Sequence, residues 1–246
     1  MHGGLLRIIL YLAIILFPLA IVTAGGELTE GFVYELGRNA ALAAFMIVMM
    51  QVLMGARIKW IERPFGLDIL LRFHKYTAIF AAALLILHPV LLSIGLGSAD
   101  LLISLDQPWY IWLGKIALLI LLINVGLSWY QLKLNLKFEK WRMMHDILGP
   151  AILIFIFTHS FVVGADFQRT PMRALWIVVL IVAAGVFIAH RIIRPFRLRR
   201  RPWRVVDVQK EIPGVNTVKL APPEGGPVYD YLPGQFQFIT FFRDRG

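Results

Sequence analysis

Residues 74–89 read HKYTAIFAAALLILHP, and residues 145–160 read HDILGPAILIFIFTHS. Both stretches are largely apolar. In each, two histidines stand fourteen positions apart: His74 with His88, and His145 with His159. Fourteen helical steps return to within about 40° of the start, so the members of a pair share one helix face. They also rise about 21 Å, enough to run from one membrane leaflet to the other.

The rest of the chain has the composition of a membrane protein. Of its 246 residues 59% are hydrophobic and 16% charged, where a globular chain carries about 25% charged residues. A water-soluble domain of this size could not hide so much apolar surface. There is no cysteine. This excludes disulfides, thiolate metal sites, iron–sulfur ligation, a cysteine nucleophile and covalent haem attachment. Six apolar stretches are long enough to span a bilayer: 5–24, 32–56, 70–96, 110–132, 143–163 and 173–193. Val22-Thr23-Ala24 loosely fits a signal-peptide cleavage site. The apolar run before it is longer than a signal core, so a retained first helix is expected.

The net charge is +10. In a soluble protein this would raise nucleic acid as a partner; here the positions decide. The second-to-third connection, the fourth-to-fifth connection and the segment after the sixth span, with Arg7, hold sixteen Lys and Arg on one face. The other face holds Arg169 and Arg173, with Glu27, Glu30, Asp100, Asp106 and Asp166. The positive-inside rule then puts both termini in the cytoplasm of a multi-pass cell-membrane protein, with no role in nucleic-acid binding.

With that topology the third and fifth spans run in the same direction. His74 faces His145 at the inner level, and His88 faces His159 at the outer. Two imidazoles facing each other at one level are what a six-coordinate haem iron needs. The reading is an all-α, six-helix transmembrane bundle with two b haems between the third and fifth helices. The four histidines are the axial ligands. Ala78, Ala81 and Gly149 leave room for a flat macrocycle, and the larger Leu85 and Ile156 bound the pockets. The competing reading of any one buried histidine is a core hydrogen bonder. His190 reads as interfacial and His2 as a tail residue. Arg72, Lys75 and Arg142 flank the inner pair as partners for haem propionates, or as plain cytoplasmic anchors. Arg38 lies about 9 Å into the second span. It is taken as the one basic residue buried in the outward half, and as the candidate catalytic residue. There it would serve an outer propionate or a negatively charged product, the alternative being a pair with Glu35 or snorkelling.

The tail changes character. Residues 203–210, 216–220 and 235–242 read as strands, separated by the Pro/Gly-rich segment 222–227 and by Pro233-Gly234. Three strands cannot close a barrel of their own, and the competing reading is a disordered tail. Residues 1–195 are therefore assigned to the bis-haem domain. Residues 196–246 are assigned to a linker and the first strands of an incomplete cytosolic β segment.

These residues resemble a known family. The run from His74 to His88-Pro89, the run Trp141-Arg142-Met143-Met144-His145 to His159-Ser160, and Gly37-Arg38 before Ala40-Ala41-Leu42 are similar to the ferric reductase-like transmembrane domain. NADPH oxidases and ferric-chelate reductases share that domain. Leu232-Pro233-Gly234-Gln235-Phe236 is similar to the strand entering a ferredoxin-reductase-type FAD-binding barrel. The resemblance implies an oxidoreductase passing electrons from NADPH to FAD, to the inner haem, to the outer haem, and to oxygen or a ferric chelate outside. The family's Arg-x-Tyr-Ser/Thr flavin motif and Gly-rich nucleotide loop do not occur in residues 1–246. FAD and NADPH binding are therefore expected in a C-terminal continuation or a separate flavoprotein. Two rivals remain: a quinone-linked cytochrome b subunit, and a transporter or channel using histidines as proton relays. The first usually carries its pairs on helices two and four. The second would have discontinuous helices or an acidic ladder.

Overall fold

The computed structural model describes residues 2–24, 31–163, 170–200, 202–226 and 239. The helices are α1 (His2–Ala24), α2 (Phe32–Gly55), α3 (Lys59–Glu62), α4 (Leu67–Leu96), α5 (Asp100–Ile103), α6 (Trp109–Trp129), α7 (Phe138–Val163), α8 (Thr170–Phe187) and α9 (Arg194–Arg200). A π turn, Ile188–Ile193, joins α8 to α9. Six helices are long and apolar enough to cross a membrane: α1, α2, α4, α6, α7, and α8 with its continuation to Arg197. The third and fifth spans of the sequence reading are thus α4 and α7. The short α3 and α5 lie in connections where no helix was expected. α7 begins at Phe138 rather than near 143, because its first turn, with Glu139 and Lys140, is helical but too polar for the bilayer core. α6 stops at Trp129, and residues 131–135 form turns.

The chain divides into two units, Met1–Arg191 and Ile192–Gly246. In the first, 44% of the α2 apolar window is buried, against 11–17% in the other five spans, so α2 is the central helix. The other helices turn most of their apolar side chains outward, as a lipid solvent allows. The core lies where α2 meets α8: Phe45 stacks on Trp176 with centroids 4.4 Å apart, beside the buried Met46, Met49 and Met172. The Trp176 indole N–H donates to Ser160 Oγ at 3.0 Å, so this large ring leaves no buried donor unpaired.

α2 and α4 approach closely because small residues sit between them. A Cβ added to Gly95 would lie 2.7 Å from Tyr34 Cβ, and one added to Gly37 would lie 2.9 Å from Leu91 Cβ. In lipid, helix association depends on such close packing rather than on a hydrophobic drive. α4 ends at Gly97 (φ 65°), whose N–H bonds the Ile94 carbonyl while Ser98 N–H bonds the Ser93 carbonyl. That pairing needs a left-handed residue, which glycine adopts without strain.

In the second unit, β1 (Arg204–Ile212) and β2 (Val215–Ala221) form an antiparallel hairpin turning at Gly214, φ 82°. Lys219 pairs with Asp207 across it at 2.9 Å. These are the first two expected strands: β1 starts one residue later and ends two later than expected, and β2 is one residue longer at each end. The third, 235–242, falls outside the described residues except for position 239, as does the Pro-Gly-Gln-Phe motif.

Gly95→Leu is expected to destabilise the detergent-solubilised protein by about 1–3 kcal/mol or more, because the new side chain meets backbone rather than a mobile tip. Gly126→Leu, where an added Cβ meets nothing within 4 Å, should stay within about 0.5 kcal/mol. Thermal unfolding followed by circular dichroism checks the contrast.

Candidate functional site

The four intramembrane histidines come together in the expected pairs. The rings of His74 on α4 and His145 on α7 have centroids 6.1 Å apart at 62°. An imidazole nitrogen binds a metal at about 2 Å, and the ring centre lies about 1 Å behind it, so two rings sharing one ion stand about 6 Å apart. His88 and His159 lie within electrostatic reach of each other.

What holds each ring is a hydrogen bond at Nδ1. His88 Nδ1 lies 3.0 Å from the Gly37 carbonyl oxygen, and His159 Nδ1 lies 2.7 Å from that of Tyr110. His145 Nδ1 lies 3.0 Å from Asn124 Oδ1. A carbonyl oxygen only accepts, so Nδ1 carries the proton and Nε2 keeps its lone pair for a metal. The His74 ring faces the Gln51 backbone, but its Nδ1 completes no hydrogen bond of full geometry. The four oxygen-bearing residues repeat the histidine pattern. Gly37 and Gln51 on α2 are fourteen apart, as are Tyr110 and Asn124 on α6.

The reach to these carbonyls has a steric cause. In a helix the side chain at i+4 leans back over the carbonyl of residue i. The residues four beyond Gly37, Gln51 and Tyr110 are Ala41, Gly55 and Gly114, all small. A Cβ on Gly114 would lie 2.7 Å from the His159 ring, and one on Gly55 would lie 4.0 Å from that of His74. At the fourth place Ser128 fills i+4, and its hydroxyl donates to the Asn124 carbonyl at 2.8 Å. The Asn124 side chain takes over as acceptor there. Trp141 continues the network, donating to Ser128 Oγ at 3.2 Å and stacking on His145 with centroids 5.5 Å apart.

The small residues expected to leave room for a flat group are placed differently. Gly149, one turn from His145, faces open space, since an added Cβ meets nothing within 4 Å. Ala81 is fully buried, and Ile156 and Leu85 belong to the core at the outer side.

The charged candidates are placed less simply. Arg72 is exposed and pairs with Asp68 at 3.4 Å. Lys75 Nζ sits 4.1 Å over the Trp129 ring. Arg142 lies 3.7 Å from Asp146. The cation brought into reach of both inner rings is instead Arg191, which is bound to Asp146 at 3.0 Å. Arg38 pairs with the buried Glu35 at 2.6 Å, the partner held open as the alternative. It is not the one cation of the outward half. Lys115, six residues into α6 as Arg38 is six into α2, is half-buried there. Its stem lies in an apolar helix while its amine reaches back to the Ser104 carbonyl at 3.3 Å, a snorkelling path that a tally of loop charges overlooks.

The sequence reading missed Gly37, Gln51, Tyr110 and Asn124 as supports. Their own fourteen-residue spacing was the available signal. Asn124→Leu, which removes the acceptor of the His145 Nδ1 proton, is expected to weaken haem binding at the inner pair about 10- to 100-fold, while Asn124→Asp retains it. Haem titration followed by Soret absorbance measures both.

No curated protein and no solved structure matches the chain. The family model described as ferric reductase like transmembrane component matches residues 40–156. That segment runs from within α2 into α7 and takes in three of the four paired histidines, ending three residues before His159. Residues 40–156 are thus similar to the ferric reductase-like transmembrane family, within a chain whose six long apolar helices make it a multi-pass membrane protein.

Proposed function

We propose that this chain is the membrane part of an oxidoreductase that carries electrons across the bilayer through two b haems. One haem is held by His74 and His145, the other by His88 and His159. The observation that carries the reading is the tautomer set at the histidines. Buried carbonyl and amide oxygens take the Nδ1 protons of His88, His145 and His159, leaving Nε2 free on rings whose partners stand across from them. A proton relay would need no such fixed lone pairs at two matched levels. Bound there, bis-histidine haem supplies one-electron transfer and no oxygen binding at iron.

The protein's own residues orient the rings and keep water from them. Electrons enter on the cytoplasmic side, where the Lys and Arg excess lies, from a flavin reduced by NADPH. The β1–β2 hairpin is read as the opening of an FAD-binding barrel, and a flavoprotein part supplies the nucleotide site. An inside-negative potential favours outward electron movement by about 2.3 kcal/mol per 100 mV. The acceptor, oxygen or a ferric chelate, reacts at the outer face, where Arg38 and Lys115 supply positive charge and Glu35 opposes it.

Purified protein is expected to carry two extractable b haems per chain. Leucine at position 74 or 145 should remove mainly one, and leucine at 88 or 159 mainly the other. Pyridine haemochrome and reduced-minus-oxidised spectra give the count, and one haem in fully loaded wild type would sink the assignment.

Arg38→Ala is expected to keep both haems and slow oxidation of the reduced protein by its acceptor. Glu35→Gln, which releases the guanidinium, should not slow it. Stopped-flow absorbance distinguishes the two, and equal rates in wild type and Arg38→Ala would leave Arg38 a structural charge.

A further inference from the structure

The cytoplasmic end of the bundle holds a charge cluster that the electron-transfer reading leaves unused. Asp146 follows His145 on α7. Its carboxylate receives Arg191 in a two-pronged pair, Nη2–Oδ1 at 3.0 Å and Nη1–Oδ2 at 3.2 Å. Arg142, one turn back on α7, approaches the same carboxylate at 3.7 Å. Two guanidiniums around one carboxylate leave a formal excess of +1 at a half-buried place. Excess charge in such a place calls for a further anion.

Two more observations converge on this place. Arg191 arrives on the π turn Ile188–Ile193, and a π turn adjoining an α-helix frequently marks a functional site. His190, its neighbour on that turn, has a buried Nδ1 with no hydrogen-bond partner. Such an orphaned polar atom is costly unless a ligand completes it. Arg191 also stands within electrostatic reach of both His74 and His145, which puts the cluster beside the inner pair rather than out at the lipid headgroups.

We propose that Arg191, Arg142 and His190 form an anion site that takes a propionate carboxylate of the haem held between His74 and His145. Asp146 pre-positions the two guanidiniums. This rests on the bis-haem reading above. It moves the propionate role from the exposed Arg72 and the ring-stacked Lys75 to the sixth span. The π turn thereby ties the last membrane helix to the cofactor at the electron-entry side.

The test follows haem transfer from holoprotein in lipid nanodiscs to excess apomyoglobin. The inner-haem phase is identified as the one that His145→Leu abolishes. Arg191→Gln is expected to speed that phase about tenfold or more, the loss of a charge-assisted bond, and Arg191→Lys should speed it less. Asp146→Asn should speed it clearly less than Arg191→Gln, since the guanidinium that holds the propionate remains and loses only its positioning partner. Protein loaded with haem dimethyl ester should release the inner group as fast in wild type as in Arg191→Gln. Three results would overturn the proposal. Asp146→Asn matching Arg191→Gln means that Arg191 does no more than clamp α8 to α7. A wild-type advantage that survives with the ester means no propionate is held. An advantage seen in phosphatidylglycerol discs but absent in phosphatidylcholine names an anionic lipid headgroup as the ligand. Should Arg191→Gln not fold, Arg142→Gln and His190→Ala carry the same comparisons. Wild type without two b haems overturns the underlying reading as well, and is seen before any variant is compared.

Discussion

A carbonyl oxygen inside a membrane helix can accept a hydrogen bond but cannot give one. Around the paired histidines this one-way rule governs the arrangement. Where an imidazole meets the Gly37 or Tyr110 carbonyl, its Nδ1 must hold the proton, and its Nε2 must face away with a lone pair. In water such a bond would compete with solvent and contribute about 1 kcal/mol. In a hydrocarbon surround there is no solvent partner, and losing the bond strands a polar group. The ring orientation is therefore held by the same constraint that makes the helices form.

Meeting that constraint shapes the packing. A third group reaches a helical carbonyl only where the residue four places on is small. Ala41, Gly55 and Gly114 occupy those places. The glycines weaken their own helices by about 1 kcal/mol each relative to alanine, and the close approach they permit offsets it. Gly37 serves twice, as the small residue between α2 and α4 and as the acceptor for His88. Asn124 answers the same need where Ser128 blocks the backbone route. α2 and α6 thus act as paired supports for α4 and α7: α6 anchors at Tyr110 and Asn124, about 21 Å apart along the helix, and α2 at Gly37, with the Gln51 backbone facing the His74 ring.

Charge is organised around the same levels. At the level of His88 and His159, Glu35 balances Arg38, while Lys115 draws its amine toward Ser104. At the level of His74 and His145, Asp146 gathers Arg142 and Arg191. Carboxylates within the helices hold guanidiniums in place, so each level has a fixed charge beside a histidine pair. Helix-end cations such as Arg72, near the start of α4, stay in solvent and do little else.

Composition and the fourteen-residue spacing determined a large part of this protein without any structure. Six apolar runs can satisfy their backbones in lipid only as helices, and two equal histidine spacings on two such runs can meet at two levels. The hairpin's alternating residues were legible for a similar reason, since a strand has a period of two. What the linear chain could not decide was which partner each polar side chain finds. Arg38 could face a cofactor or Glu35, and only the helix geometry joins it to Glu35 at 2.6 Å. Arg191 read as one more anchoring arginine, yet the π turn brings it to Asp146, forty-five residues away in sequence. The supports Gly37, Tyr110 and Asn124 were hidden for a related reason: most of their chemistry lies in backbone oxygens, which every residue possesses. Only the packing of one helix against another decides which of those oxygens can be reached.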